Sequence, residues 1–104
     1  MGENIMAYDV KYVLFSDGQG ISAHCDGRRI GEITFVRAGG NNIIIDHTAV
    51  DAAYRNANVG LGLVSQVVDI ARAQHRKVLA LCPFALEMFN RHPEFNDVRL
   101  LNSN

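Results

Sequence analysis

The feature that most constrains this fold is a strand-to-helix transition over residues 43–64, which read IIIDHTAVDAAYRNANVGLGLV. The segment 43–50 is short and rich in β-branched residues, which predicts a buried strand. The small and polar residues 51–57 predict a loop, and an apolar helical pattern starts at Val59. Before it, Asn58 suits a helix cap or a left-handed turn, and the glycines at 60 and 62 let the helix start lie close to another group.

Such a transition directs several backbone N–H groups toward one point. The positive end of the helix dipole lies behind them, so this point suits a phosphate group. Arg55 stands beside it and can add a charge-assisted hydrogen bond. The sequence therefore predicts an anion-binding site at the start of this helix.

The rest of the chain predicts a mixed α/β fold with a mostly antiparallel sheet. Alternating apolar residues predict three earlier strands, and Asp26-Gly27 between the last two is a strong hairpin signal because both residues tolerate positive φ. The amphipathic pattern predicts a helix from about Asn58 to His75. The predicted strands before the central one are residues 9–15, 21–25 and 29–37.

The C-terminal half is predicted to add one strand and one helix. Residues 78–81 are reached through a helical crossover, so this strand should lie parallel to residues 43–50. A short half-buried helix is expected over residues 84–91, with Pro83 suited to its first position. The lead at residues 1–7 and the tail from Glu94 carry little pattern.

Length and composition narrow the class of protein. A chain of 104 residues predicts a single domain over residues 1–104. A net charge of −1 argues against a general electrostatic grip on nucleic acid or on an anionic membrane. Cys25 and Cys82 lie far apart and show no metal-ligand spacing with the histidines, so we expect reduced thiols and no metal site. With no bilayer-spanning run and no signal peptide, a cytoplasmic location is expected.

Five segments in a fixed order carry a family resemblance. They are IDHTAV at 45–50, YRNANVGLGLV at 54–64, AR at 71–72, CPF at 82–84 and RHPEF at 91–95. With these residues the chain resembles the compact, single-domain branch of the GNAT acetyltransferase superfamily. The hairpin GRRIGEITF at 27–35 also fits that branch, so the resemblance covers roughly residues 20–98.

This resemblance implies acetyl-CoA in a cleft between the strands at 43–50 and 78–81, which splay apart in the superfamily. Pantetheine would run along the first strand and use backbone groups near Ala49 and Val50, and the pyrophosphate would lie on the N–H groups that begin the helix. Two helices in the C-terminal half and a splayed parallel strand pair complete the implied fold. The implied cofactor-binding residues are Ala49, Val50, Arg55, Asn56, Ala57, Asn58, Val59, Gly60, Leu61 and Phe84.

The pyrophosphate loop departs from the superfamily pattern at one glycine. That pattern is Arg or Gln, two residues, Gly, one residue, and Gly or Ala; here Arg55 and Gly60 match it, but Asn58 replaces the first glycine. The compact branch usually has a further glycine where Asn56 stands. Asparagine tolerates the left-handed region best among non-glycine residues, so the loop is expected to keep its shape. The two asparagine side chains are expected to crowd the approach to a pyrophosphate.

His47 and Cys82 are the candidate catalytic residues. Strand alternation puts His47 on the face opposite to Asp46 and Thr48, where it can act as a general base or simply hold the strand by a hydrogen bond. Cys82 ends a strand where the cleft should open, and the helix that follows favours its thiolate form; the alternative is simple packing. Many GNAT enzymes protonate the leaving thiolate with a tyrosine on that helix, but here Met88 and Phe89 stand nearby.

The sequence thus predicts an N-acetyltransferase that moves an acetyl group from acetyl-CoA to a primary amine of a small molecule or peptide. Direct transfer in a ternary complex is the default, and an acetyl-cysteine at Cys82 is the variant. The alternative class is a non-catalytic acyl-CoA-binding or interaction module, favoured by the altered loop and the missing tyrosine. His47 and Cys82 favour an enzyme. We expect a monomer or a weak homodimer that binds neither nucleic acid nor a membrane.

Overall fold

The computed structural model describes residues 9–101. The lead predicted at residues 1–7 and the last three residues of the predicted tail lie outside this range. The strands are β1 (Val10–Leu14), β2 (Gly20–Cys25), β3 (Arg28–Ala38), β4 (Asn42–Val50) and β5 (Lys77–Ala80); the helices are α1 (Val59–Gln74) and α2 (Pro83–Arg91), with 3-10 segments at Ala52–Ala57 and Pro93–Phe95.

The five strands form one sheet in sequence order. The first four pair antiparallel with their neighbours, and β4 pairs with β5 in parallel across the α1 crossover. The predicted hairpin turn is confirmed, since Asp26 and Gly27 have φ of 54° and 78°. The predicted mixed α/β fold, with a mostly antiparallel sheet and two helices, is therefore confirmed.

One face of the sheet and one stripe of α1 form the core. On the sheet, Ile33 and Phe35 of β3 and Ile43 and Ile45 of β4 are fully buried, because alternation directs them toward α1. Helix α1 packs against this face with a stripe of buried, mostly apolar residues at helical spacing. That stripe consists of Val59, Leu63, Val64, Val67, Val68 and Ala71. We call the sheet face opposite to α1 the outer face.

A β-bulge at Asp46 alters the alternation of β4. Phe35 of β3 pairs with Ile45, but Thr34 pairs with His47, so Asp46 is the additional residue. The predicted placement of His47 opposite Asp46 is therefore wrong: both are exposed, and Thr34 on the outer face donates a hydrogen bond to Asp46. Thr48 lies on the other face, as predicted, because normal alternation resumes after the bulge.

Two segments are more ordered than their sequences indicate. The predicted loop at 51–57 is mostly a 3-10 segment, and the Asp51 carboxylate caps it by accepting a hydrogen bond from Ala53 N–H (3.2 Å). The tail runs along the free edge of β5, where Val78 N–H donates to Val98 C=O and Leu100 N–H donates to Val78 C=O. No helix among residues 9–101 has the length and apolar character needed to span a membrane.

A bidentate ion pair fixes this tail to α1. Nε and Nη2 of Arg72 each donate to the Asp97 carboxylate at 2.9 Å, and Nη2 also donates to Glu94 C=O. The hydrogen bonds from Arg72 hold the pKa of Asp97 below its ordinary value. The stabilisation they give is present above the unfolded-state pKa of this carboxyl and is lost as the pH falls through its folded-state pKa.

Candidate functional site

The site begins where β4 and β5 separate. Their pairing runs as far as Ile45 and Ala80, and the Ile45 C=O then accepts from both Leu81 N–H (3.0 Å) and Cys82 N–H (3.3 Å). Beyond this point β4 continues to Val50, paired with β3, whereas the other branch turns into α2 at Pro83. The diverging branches leave a wedge-shaped cleft with a free edge of β4 as one wall.

The backbone groups on this free edge come from alternate residues. Asp51 N–H donates to Ile30 C=O of β3 at 2.7 Å, so the alternation of a strand directs the N–H and C=O of Thr48 and Val50 away from β3 and into the cleft. The same alternation turns the backbone groups of Ala49 toward β3. Two of the residues on this edge thus offer donors and acceptors to an extended ligand.

The open cleft has a volume of about 410 Å³ and both branches contribute to it. Five of the predicted cofactor-binding residues line it together with a residue that was not predicted. The lining consists of Thr48, Ala49, Val50, Arg55, Gly60 and Phe84.

The start of α1 supplies donors at one end of this cleft. Asn58 adopts the predicted left-handed conformation, with φ 62° and ψ 23°. The first helical bond runs from Gly62 N–H to Asn58 C=O at 3.0 Å, which leaves the N–H groups of Val59, Gly60 and Leu61 without a helical acceptor. These groups and the helix dipole suit an anion, and Arg55 places an exposed side chain beside them.

Gly60 has a packing role as well as a place in this loop. A Cβ added at Gly60 would overlap the ring of Phe84, which stands in the first turn of α2. The first turns of the two helices therefore touch through an aromatic ring lying on a glycine. This contact holds Phe84 against the N-terminus of α1, where its half-exposed ring forms part of the cleft wall.

We expect Gly60→Ala to lower the free energy of unfolding by about 1–3 kcal/mol, since it forces the Phe84 ring to move. The same change made in a Phe84→Ala background should be neutral or stabilising, because alanine is then the better helix former by about 1 kcal/mol. Urea unfolding of the two single variants and the double variant measures this coupling. Equal destabilisation in both backgrounds would contradict a contact between the two positions.

Cys82 is not among the residues that line the cleft, but it contacts Thr48, which is one of them. The residue is 8% exposed, and its thiol donates to the Thr48 hydroxyl oxygen, with Sγ and Oγ1 3.5 Å apart. It is the N-cap of α2: Pro83 takes the first helical position, and Leu86 N–H donates to Cys82 C=O at 3.0 Å. The fold thus brings together the cysteine and a hydroxyl from the free edge of β4.

His47 lies on the outer face and is not among the residues that line the cleft. Its Nε2 is 3.3 Å from Oε2 of Glu32, and its side chain is 52% exposed. It directly precedes Thr48 of the cleft lining, but its side chain points to the opposite side of the sheet.

The remaining predicted residues separate into distinct surroundings. Asn58 and Leu61 line a neighbouring pocket of about 510 Å³, which also includes Arg72 and Phe95. Val59 is buried, so it can offer a ligand only its backbone. Ala57 packs half-buried against the core, and the side chain of Asn56 lies outside the described structure.

Sequence reasoning missed Thr48 and Glu32 as site residues. Thr48 stands in the quoted segment IDHTAV, but its contact with Cys82 depends on where β4 and β5 separate. Glu32 reaches His47 only because of the strand register and the bulge at Asp46. A hairpin pattern in the sequence does not reveal either feature.

The Asp51 carboxylate, which caps the 3-10 segment, accepts hydrogen bonds from a backbone N–H group and from an arginine. The N–H of Ala53, and after it the guanidinium of Arg28, hold the pKa of the Asp51 carboxyl below its usual range.

Within residues 9–101, no three side chains of the types His, Cys, Asp and Glu cluster so that they could hold a metal ion.

Both the sequence and the fold are similar to those of known proteins. A family model described as GCN5-related N-acetyltransferase matches residues 18–98. No curated protein matches the chain. A GCN5-like protein of Staphylococcus aureus, solved in solution by NMR, is 27% identical with a TM-score of 0.73, and the match covers 90% of this chain and 91% of that one.

Longer proteins share the fold over part of their length. Ard1 of Thermoplasma volcanium is 22% identical with a TM-score of 0.57, over 61% of this chain and 43% of its own. Rv2747 of Mycobacterium tuberculosis, crystallised in complex with CoA, is 24% identical with a TM-score of 0.64, over 73% of this chain and 48% of its own. This chain therefore spans less than half of either protein. The family match extends over most of the chain, and we conclude that the protein belongs to the GCN5-related N-acetyltransferase family.

Proposed function

We propose that the protein transfers an acetyl group from acetyl-CoA to a primary amine of a small molecule or peptide. The observation that carries this proposal is the separation of β4 from β5 at Ile45. It opens a cleft between a free strand edge and the first N–H groups of α1, and the thiol of Cys82 adjoins this cleft through its hydrogen bond to the lining residue Thr48. Family membership supports acyl transfer in general, and the amine acceptor is the part we propose.

The residues present fit CoA by the chemistry of their donors. The N–H groups of Val59, Gly60 and Leu61, with Arg55 beside them, suit a pyrophosphate. The cleft-facing N–H and C=O groups of β4 suit the two amides of pantetheine, because they continue the hydrogen bonding that β5 has left. Bound acetyl-CoA supplies the activated acetyl group as a thioester.

Two residues of the chain are assigned the two proton transfers of this reaction. His47 is assigned the proton that the attacking amine loses as its nitrogen bonds to the acetyl carbon, which requires the amine to approach the gap between β4 and β5 from the outer face, where the imidazole lies. Cys82 is assigned the proton that the departing thiolate gains as the bond between carbon and sulfur breaks, and its thiol is then reprotonated from solvent. This scheme uses no tyrosine. Where the family resemblance implies a tyrosine on α2, Met88 is buried and Phe89 packs against Phe95.

A cofactor titration tests the binding half of the proposal. At a concentration a hundredfold above its dissociation constant, CoA should stabilise the fold by about 2.7 kcal/mol and raise the melting temperature. Desulfo-CoA should act nearly as well, because the proposed anion and amide contacts do not use the thiol. An unchanged melting temperature at millimolar CoA would sink the proposal.

A transfer assay tests the catalytic half. Release of free CoA thiol from acetyl-CoA is measured against a panel of small amines and lysine-containing peptides, with each acetylated product confirmed by mass. We expect product above the uncatalysed background for at least one amine. Binding of CoA with no transfer to any amine would instead favour a non-catalytic acyl-CoA-binding module.

A further inference from the structure

The Glu32 carboxylate has a neighbouring side chain at each of its oxygens. On one side Arg29 Nη2 forms a hydrogen-bonded ion pair with Oε1, and on the other side His47 Nε2 lies 3.3 Å from Oε2. The Arg29 guanidinium is itself positioned over the ring of Phe15 at 5.1 Å. Arg29 thus fixes the carboxylate on the outer face, and its other oxygen lies within ion-pair distance of the imidazole.

Two bulges bring these residues to the same face. Arg29 and Glu32 are an odd number of residues apart in β3, and regular alternation would place them on opposite faces. A register shift at Ile30 places Arg29 opposite His24 while Glu32 pairs with Ser22, so both lie on the outer face. The bulge at Asp46 does the same for His47 in β4. The trio therefore depends on two local irregularities, one in each strand.

We propose that Glu32 is a positioning residue for His47 in acetyl transfer, an inference that rests on the function proposed above. Accepting the Nε2 proton selects one tautomer, which leaves Nδ1 as the nitrogen that takes a proton from the amine. The carboxylate also stabilises the imidazolium formed at that step. Arg29 pairs with one oxygen of Glu32 and leaves the second oxygen beside the ring.

The other charged groups around this pair have partners of their own. Asp46 accepts a hydrogen bond from Thr34, and His24 of β2 is bonded to Ser22 with Nε2 and Oγ 2.8 Å apart. Asp46 therefore offers a matched control, since it is a carboxylate on the same face and only one residue from His47. If negative charge on this face were all that mattered, removing either carboxylate would have a similar effect.

A double-mutant cycle on kcat separates positioning from plain structure. Glu32→Gln should lower kcat by about tenfold, with the dissociation constant for CoA and the melting temperature nearly unchanged. In a His47→Ala background the same change should have no further effect, because the group it acts through is gone. Asp46→Asn should leave kcat within about twofold. Independent effects of Glu32→Gln and His47→Ala would overturn the proposal.

A measurement that needs no turnover decides the case if the wild-type protein acetylates no amine. Nitrogen-15 shifts of the His47 ring are measured at about pH 9, where imidazole is neutral. In the wild type they should lie at the limits for a single tautomer protonated at Nε2. In Glu32→Ala they should move toward each other as the second tautomer becomes populated. Identical ring shifts in both proteins would show that Glu32 does not position the imidazole, whatever reaction the protein catalyses.

Discussion

Cys82→Ala is expected to lower the turnover of acetyl-CoA and amine by at least about a hundredfold. The change removes the thiol that donates to Thr48 of the cleft lining, and with it the proton assigned to the departing thiolate. The affinity for CoA should change little, because the proposed anion and amide contacts come from α1 and β4. Steady-state kinetics together with a thermal titration with CoA measure the two effects separately.

Cys25→Ala is the matched control for this experiment. Cys25 is the other cysteine and is also buried, at 4% exposure, but it lies in β2 on the α1 side of the sheet. Its removal should cost stability through lost packing and leave turnover nearly intact. Incubation with acetyl-CoA followed by peptide mapping asks whether Cys82 carries an acetyl group. Unchanged turnover in Cys82→Ala would reduce this residue to packing and leave His47 as the assigned proton carrier.

Phe89→Ala is expected to lower the free energy of unfolding by about 3–5 kcal/mol, a large part of the stability of a domain of this size. The Phe89 ring is 1% exposed, meets Phe95 edge-on at 5.6 Å between centroids and lies beneath the Arg99 guanidinium. It thus joins α2 to the tail beside β5. Chemical denaturation measures the loss.

Phe89→Leu is the control for this second experiment, because it keeps most of the apolar volume. It should cost about 1 kcal/mol, close to what shape changes in cores usually cost. In Phe89→Ala we also expect faster alkylation of Cys82, since the helix that this cysteine caps loses its main anchor. Comparable stability of the two variants would show that the ring does not hold α2 in place.

Periodicity predicted most of this fold because its elements obey simple alternation. The apolar stripe of α1 reflects burial on one side, the run at residues 43–50 reflects β-branched composition, and the Asp26-Gly27 turn reflects tolerance of positive φ. Sequence alone displays all three. The ordered tail escaped prediction because its pairing with Val78 uses backbone atoms, which leave no side-chain signature. The capped 3-10 segment at 52–57 escaped for a similar reason, since its residues are small and polar.

The site was predicted less completely, because its geometry depends on irregularities. Five of the predicted cofactor-binding residues line the cleft, since loop, strand and helix must meet where a strand ends at a helix. The bulge at Asp46 shifts which residues share a face, so a reading from alternation misplaced His47 relative to Asp46 and gave no reason to consider Glu32. The roles assigned to His47 and Cys82 remain predictions.

The Ile45 carbonyl gives the cleft a cooperative way to open. One oxygen accepts the amide protons of both Leu81 and Cys82, at the last point where β4 and β5 are joined. When β4 moves this oxygen away from β5, the Leu81 and Cys82 amides lose their shared acceptor at the same time. A movement of β4 at this point therefore breaks both hydrogen bonds together and couples the solvent exposure of the Cys82 amide to that of the Leu81 amide.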